Sequence, residues 1–188
     1  MKRMILSMMV SADGYIEAPG NDINWHVFDE EMSEYMMGFF GTVDTFIYGR
    51  KSYELMLSFW PHESGPFADV MNQTSKIIFS KTLESVEWNS RLVKDNVVEE
   101  IGKLKQQPGK DAVLFAGADL AATFIRHNLI DEYRLIVNPV VLGAGTPLFK
   151  DVQKKPFNLQ LVDTLTFGCG NVILIYRPEK KSGNHRFQ

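Results

Sequence analysis

The chain is poor in the features that would commit it to several familiar protein classes. It has one cysteine, Cys169, in 188 residues, which excludes an internal disulfide and supplies no cysteine-based metal cluster. No apolar run approaches the roughly 20 residues of a membrane-spanning helix. Met1-Lys2-Arg3 followed by Met4–Val10 has the outline of a signal peptide. The run is short, however, and Ser11-Ala12-Asp13-Gly14 leads straight into patterned sequence, so it reads as a first strand. An excess of positive charge is also missing: 20 Lys and Arg face 23 Asp and Glu, for a net charge of −3. That leaves no general electrostatic case for nucleic acid or an anionic membrane. His62, His127 and His185 have no partner at ligand spacing, so no metal is expected. No linker, repeat or low-complexity run divides the chain. A composition 45% hydrophobic and 23% charged is that of an ordinary soluble globule, and a reducing, cytoplasmic setting is the default expectation.

What is present is an alternation of strand-like and helix-like segments, which points to an α/β fold. The spacing predicts strands at Met4–Val10, Thr42–Tyr48, Ser75–Phe79, Ala112–Phe115 and Asp131–Pro139, with short edge strands at Val86–Trp88 and Arg91–Val93. Helices are predicted at Asp29–Phe40, Lys51–Ser58, a short stretch ending at Asn72, Val97–Lys105 and Ala118–His127. Phe157–Phe167 and Asn171–Arg177 read as a closing antiparallel hairpin. Residues 1–178 form one domain in this reading, and 179–188 a polar, disordered tail.

Three junctions could carry anion chemistry. Phe46-Ile47-Tyr48-Gly49-Arg50-Lys51-Ser52 is an apolar strand that stops at glycine and turns basic and hydroxylated as a helix begins. Unpaired N–H groups at a helix start favour an anion, and Arg50, Lys51 and Ser52 add donors suited to phosphate. Val113-Leu114-Phe115-Ala116-Gly117-Ala118-Asp119-Leu120 is a second strand–glycine–helix junction. Ile77-Ile78-Phe79-Ser80-Lys81-Thr82 ends a strand with hydroxyls and a lysine. Ligands of open α/β sheets gather at the carboxyl ends of strands, so Arg50, Ser52, Ser80 and Lys81 converge if strands 42–48 and 75–79 are neighbours. The plain alternatives stay open: ordinary strand-to-helix turns and a solvated loop. At the other end, Ser11 and Asp13 follow the first strand, and Trp25 and His26 precede the acidic run Asp29-Glu30-Glu31. A tryptophan can wall a pocket and one acid relay a proton, or the acids merely complement the helix start. Gly143-Ala144-Gly145 reads as a turn that lets backbone pass close to a ligand or a neighbouring chain.

Taken in order, these segments resemble the dihydrofolate reductase fold, and within it the reductase domain of riboflavin biosynthesis. Tyr48-Gly49-Arg50-Lys51-Ser52-Tyr53-Glu54 is similar to G-R-K-T-x-E, and Phe79-Ser80-Lys81-Thr82 to the strand-end segment that holds the 2′-phosphate of NADPH. Ala116-Gly117-Ala118-Asp119-Leu120 resembles the Gly-Gly pyrophosphate turn, with Ala116 in the first position. Ser11-Ala12-Asp13-Gly14-Tyr15-Ile16 looks like S-x-D-G-x-I of the riboflavin-type relatives. Residues 128–133 and 139–149 look like their L-x-D-E … P-V-x-L-G-x-G-x-P-L-F signature. The resemblance spans residues 3–177. It implies a three-layer fold with a mostly parallel sheet, a C-terminal hairpin and helices on both faces.

For function, the resemblance implies NADPH-dependent hydride transfer to a pterin- or pyrimidine-like heterocycle, most like 5-amino-6-(5-phosphoribosylamino)uracil. Dihydrofolate reductase activity and a nucleotide-binding module without turnover are the alternatives. Gly49, Arg50, Lys51, Ser52, Gly117, Ala118, Asp119 and Leu120 would meet the pyrophosphate and ribose, and Ser80 and Lys81 the 2′-phosphate. Asp13, Glu30 and Glu31 would be the catalytic acids, with Ser11, Trp25, Gly143 and Gly145 around the substrate. A homodimer is expected from the same resemblance. The H-x-E … C-x-x-C zinc signature of an accompanying deaminase does not occur in the chain.

Overall fold

The computed structural model describes residues 1–152 and 156–179. Strand β1 (Met4–Ser11) is an almost unbroken apolar run with Met4, Ile5 and Leu6 fully buried, the pattern of a strand covered on both faces. Strand β2 (Tyr15–Glu17) precedes helix α1 (Glu30–Phe40). Asp29 caps α1 by accepting from the Met32 N–H at 2.8 Å, and Glu30 and Glu31 complement its N-terminus. Met32, Met36, Phe39 and Phe40 bury one stripe of that helix. Strand β3 (Val43–Gly49) runs directly into α2 (Arg50–Phe59), a 3₁₀ turn at 60–62 and α3 (Pro66–Gln73). Strands β4 (Ser75–Phe79) and β5 (Ser90–Val93), α4 (Val97–Gln106), β6 (Asp111–Leu114), α5 (Ala118–Arg126) and β7 (Glu132–Asn138) follow. The chain closes with β8 (Thr146–Pro147), β9 (Leu159–Thr166) and β10 (Val172–Pro178).

Eight strands form one sheet in the order β5-β4-β3-β6-β1-β7-β10-β9. The first six are parallel, and β10 is antiparallel to both β7 and β9. Side chains alternate across this sheet with the strand period of two. Met4, Leu6, Ile47 and Leu114 pack with Ile101, Leu104, Phe124 and Ile125 of α4 and α5. Ile5, Phe46, Tyr48 and Val113 pack on the other face with Met32, Met36, Phe39 and Met71 of α1 and α3. This is the expected α/β architecture: three layers, a mostly parallel sheet, a C-terminal hairpin and helices on both faces. Among the described residues, no helix is long and apolar enough to cross a membrane. Of the tail expected at 179–188, only Glu179 lies within the described residues.

Two local expectations are corrected. Val86–Trp88 is not a strand, because Trp88 (φ 63°) and Asn89 (φ 51°) adopt left-handed backbone that breaks extension. Trp88 is pinned instead: its indole N–H donates to Asn72 Oδ1 at 2.7 Å, and its ring stacks on Tyr48. Thr146–Pro147, outside every expected strand, forms β8 and pairs with β2 in a separate two-stranded sheet. Strands this short carry too little alternation to be seen in sequence.

Candidate active site

Because β1, β3, β4, β6 and β7 are parallel, their carboxyl ends share one edge of the sheet. Strands β3 and β4 are neighbours, with Gly49 beside Phe79, and β6 lies on the other side of β3, with Leu114 beside Ile47. Helices α2 and α5 therefore start side by side. Their N-cap residues, Gly49 and Gly117, offer no side chain to the first N–H groups, which leaves donors facing the strand ends.

The Ser80–Thr82 loop closes against this edge, as expected from the neighbouring strands. Arg50 Nη1 donates to Thr82 Oγ1 at 3.2 Å, and its Nε lies 3.8 Å from Glu54. Ser80 Oγ accepts from the Thr82 and Leu83 N–H groups, which fixes the loop. Ser80 and Lys81 line an open cleft of about 730 Å³ together with Lys94, Asp119, Leu120 and His127. Lys51 is exposed on α2. Of the four side chains expected to converge, Arg50 meets this loop through Thr82, Ser80 and Lys81 line the cleft, and Ser52 lines a different space.

A second space of about 260 Å³, open on one side, lies on the α1–α3 side of the sheet edge. Its walls are methionine and aromatic side chains, including Met8, Met36, Phe40, Met56, Trp60 and Phe115. Ser52 at the start of α2 and Gly117 at the start of α5 also line it. The first turn of α5 therefore joins the two spaces, with Gly117 on the cavity and Asp119 and Leu120 on the cleft.

Few polar groups face the cavity, chief among them Glu17, His26 and Tyr48. Tyr48 is fully buried, and burial pushes its phenol far above the ordinary range. Burial likewise holds the His26 imidazole below its usual value, toward the neutral form. Tyr48 Oη and His26 Nε2 are buried without a hydrogen-bond partner among the described residues. A buried polar atom left unpaired costs about 1–3 kcal/mol, so two on residues that line one cavity call for an explanation. Remote asparagines hold the His26 segment: Asn138 Oδ1 accepts from the Val27 N–H at 2.9 Å, and Asn171 donates to the Val27 carbonyl at 2.7 Å.

None of the acids expected to be catalytic lines this cavity. Glu30 is exposed, and Glu31 accepts from the Gly168 N–H at 2.9 Å while Asp29 accepts from Cys169 N–H, so the acidic run anchors the β9–β10 turn. The cavity-facing positions of α1 are Met36 and Phe40. Trp25 also stands outside; its indole donates to the Asp22 carbonyl and its ring meets His26 edge-on at 4.4 Å. Asp13 accepts from Ser11 Oγ at 2.7 Å and from the Leu142 and Gly143 N–H groups. The Ser11 hydroxyl, then the two N–H groups, pull its carboxyl down to about 2. Ser11 in turn accepts from the Tyr15 N–H. The two stretches 11–17 and 140–148 are thus partners of each other, with Ala12 N–H bonded to Val140 and Leu148 N–H to Gly14.

Gly145 allows a close approach to the backbone of β2: a Cβ there would collide with the Glu17 carbonyl, and its φ of 139° suits glycine. Thr146 Oγ1 donates to Glu17 at 2.7 Å. The effect is to present Ile16 and Glu17 to the cavity. Glu17, Tyr48 and the buried Asn138 were not singled out in the sequence. In the sequence Tyr48 is part of the strand before Gly49, and only strand periodicity marks its inward face.

Sheet order, paired helix starts and strand-end crevice define a protein with the dihydrofolate reductase-like fold. The chain belongs to the RibD C-terminal domain family, matched over residues 2–173, and so to a reductase family of the riboflavin-pathway type. It is 38% identical to the uncharacterized protein YyaP of Bacillus subtilis over 180 residues, covering 93% of this chain and 94% of that protein. The structure of a putative riboflavin biosynthesis protein from Shewanella sp. PV-4 shares the fold with a TM-score of 0.79 and 21% identity, over 96% of this chain and 100% of that one. Dihydrofolate reductase from Enterococcus faecalis, solved with NADP(H), superimposes with a TM-score of 0.62 and 14% identity, over 95% and 97% of the two chains.

Proposed function

We propose that the chain is an NADPH-dependent reductase acting on a pterin- or pyrimidine-like heterocycle. The supporting observation is the crevice itself: two uncapped helix starts on adjacent strands, flanked by a cleft bearing Ser80 and Lys81 and by an apolar cavity. These residues fit a dinucleotide phosphate. The N–H groups after Gly49 and Gly117, with Arg50, Lys51 and Ser52, would hold the pyrophosphate, and Ala118, Asp119 and Leu120 the adjoining ribose. Ser80 and Lys81 would hold the 2′-phosphate. When bound, NADPH supplies the hydride. The apolar walls exclude water, and Glu17, fixed by Thr146, is the one carboxylate beside a ring bound in the cavity. We further propose a homodimer through the exposed edge strand β9, where Leu161 and Val162 are about half exposed.

Fluorescence titration of NADPH and NADH tests this reading. NADPH is expected to bind at micromolar concentration and more tightly than NADH. Lys81→Ala should weaken NADPH by about 10- to 100-fold, a charge-assisted contact being worth roughly 1.5–3 kcal/mol. The lower end is expected because Lys81 is exposed. An unchanged NADPH/NADH ratio sinks the 2′-phosphate assignment, and no binding of either cofactor sinks the reductase reading.

A further inference from the structure

The lining of the cavity beside α1–α3 specifies its occupant more narrowly than the reductase reading does. Three features count. First, no lysine or arginine lines it among the described residues; Glu17 is its one carboxylate and His26 is held toward neutrality by burial. The basic side chains of the crevice (Arg50, Lys81 and Lys94) lie outside it, with Lys81 and Lys94 in the separate cleft. A phosphate entering the cavity would lose its hydration, meet the Glu17 carboxylate and find no cation in return. Second, the walls are flexible thioethers and flat rings. Met8, Met9, Met36, Met56 and Met71 face Phe40, Trp60 and Phe115, surfaces suited to the faces of an aromatic ring system. Third, two of the residues that line this space, Tyr48 and His26, carry buried polar atoms, Oη and Nε2, without hydrogen-bond partners among the described residues. A phenol can donate or accept, and so can a neutral imidazole nitrogen according to its tautomer. A ring edge carrying amide or amino groups would satisfy both.

We propose that this cavity binds an uncharged, flat nitrogen heterocycle without a phosphate, whose polar edge is held by Tyr48 Oη and His26 Nε2. The proposal rests on the reductase reading for the hydride donor, but the cavity's selectivity is measurable without it. At about 260 Å³ the space lies near the lower bound of ligand pockets, roughly 300–1,000 Å³, and admits a ring system more readily than a phosphorylated sugar. The substrate class therefore departs from a phosphoribosylated uracil. Tyr48 and His26 become specificity-determining residues for the reaction.

The test is a tryptophan-fluorescence titration of the full chain, with Trp60 in the cavity wall as reporter, using two matched pairs of probes. One pair is neopterin and neopterin monophosphate; the other is 5-amino-6-ribitylaminouracil and its 5′-phosphate. In at least one pair the unphosphorylated member should bind tenfold or more tightly than its phosphate. Tyr48→Phe, which keeps the ring and its stacking, should weaken that member at least fivefold. His26→Gln, an independent variant, should weaken it as well. Equal or tighter binding of the phosphorylated members, binding of neither pair, or unchanged affinity in both variants overturns the proposal. NADPH titration run beside it separates the two readings: lost cofactor binding with intact pair selectivity refutes the reductase and leaves the cavity assignment standing.

Discussion

The polar cleft beside Ser80 and Lys81 and the apolar cavity sit at two ends of one crevice and are built in opposite ways. The cleft is local: the Ser80–Thr82 loop follows β4, Arg50 opens α2, and Asp119 and Leu120 belong to the first turn of α5. The cavity is assembled from afar. Met36 and Phe40 come from α1, Tyr48 from β3, Phe115 from just after β6, and Glu17 from a strand held by Thr146, 129 positions later in the chain. Affinity for a phosphate-bearing cofactor can therefore be written in short runs, whereas the choice of substrate belongs to contacts between remote segments. Each end should be breakable without the other.

Gly145→Ala should have the largest effect and should fall on the cavity alone. The added methyl meets the Glu17 carbonyl in a backbone conformation that disfavours side chains, and strain with overpacking costs about 2–4 kcal/mol. A calorimetric Tm lower by roughly 5–15 °C, with heterocycle binding weakened and NADPH affinity retained, is the expected outcome. Equal loss at both ends would show that the crevice is one mechanical unit. Next comes Arg50→Ala at the opposite end. Its guanidinium is exposed and shared with Thr82 and Glu54, so NADPH should weaken about 3- to 10-fold while heterocycle affinity holds.

The smallest effect concerns Asp13. Its carboxyl lies at about 2 in the fold against an ordinary 3.8, because Ser11 and then the Gly143 and Leu142 N–H groups favour the charged form. A depressed carboxyl stabilises the fold above the unfolded value and loses that contribution as pH falls through the folded one. The window is pH ~4 to ~2. Asp13→Asn should flatten the pH dependence of thermal stability in that window and leave it unchanged above pH ~5; an unaltered slope would show that the 142–143 latch contributes nothing.

The same division explains what could be read before the structure. Strand and helix alternation placed the parallel sheet and the closing hairpin. The runs Gly49–Ser52, Ser80–Lys81 and Gly117–Leu120 mark two helix starts and a strand end, which are set by a few adjacent residues. The cavity was not legible in that way. Asp13, Glu30 and Glu31 were picked as acids facing a substrate, yet their oxygens are exposed or taken by the 142–143 and 168–169 main chain. Glu17 reaches the cavity through the pairing of β2 with β8, which no local pattern announces, and Tyr48 is one apolar-strand position among several in the sequence. Gly145 was noticed for its freedom, but only the fold reveals that its close neighbour is the Glu17 backbone.

The most direct test of the central claim is a crystal structure with NADP⁺. The account predicts the pyrophosphate within hydrogen-bonding distance of the first-turn N–H groups of α2 and α5, the 2′-phosphate on Ser80 and Lys81, and the nicotinamide at the mouth of the cavity near Gly117. A dinucleotide bound anywhere else, or none bound at millimolar NADP⁺, would contradict it.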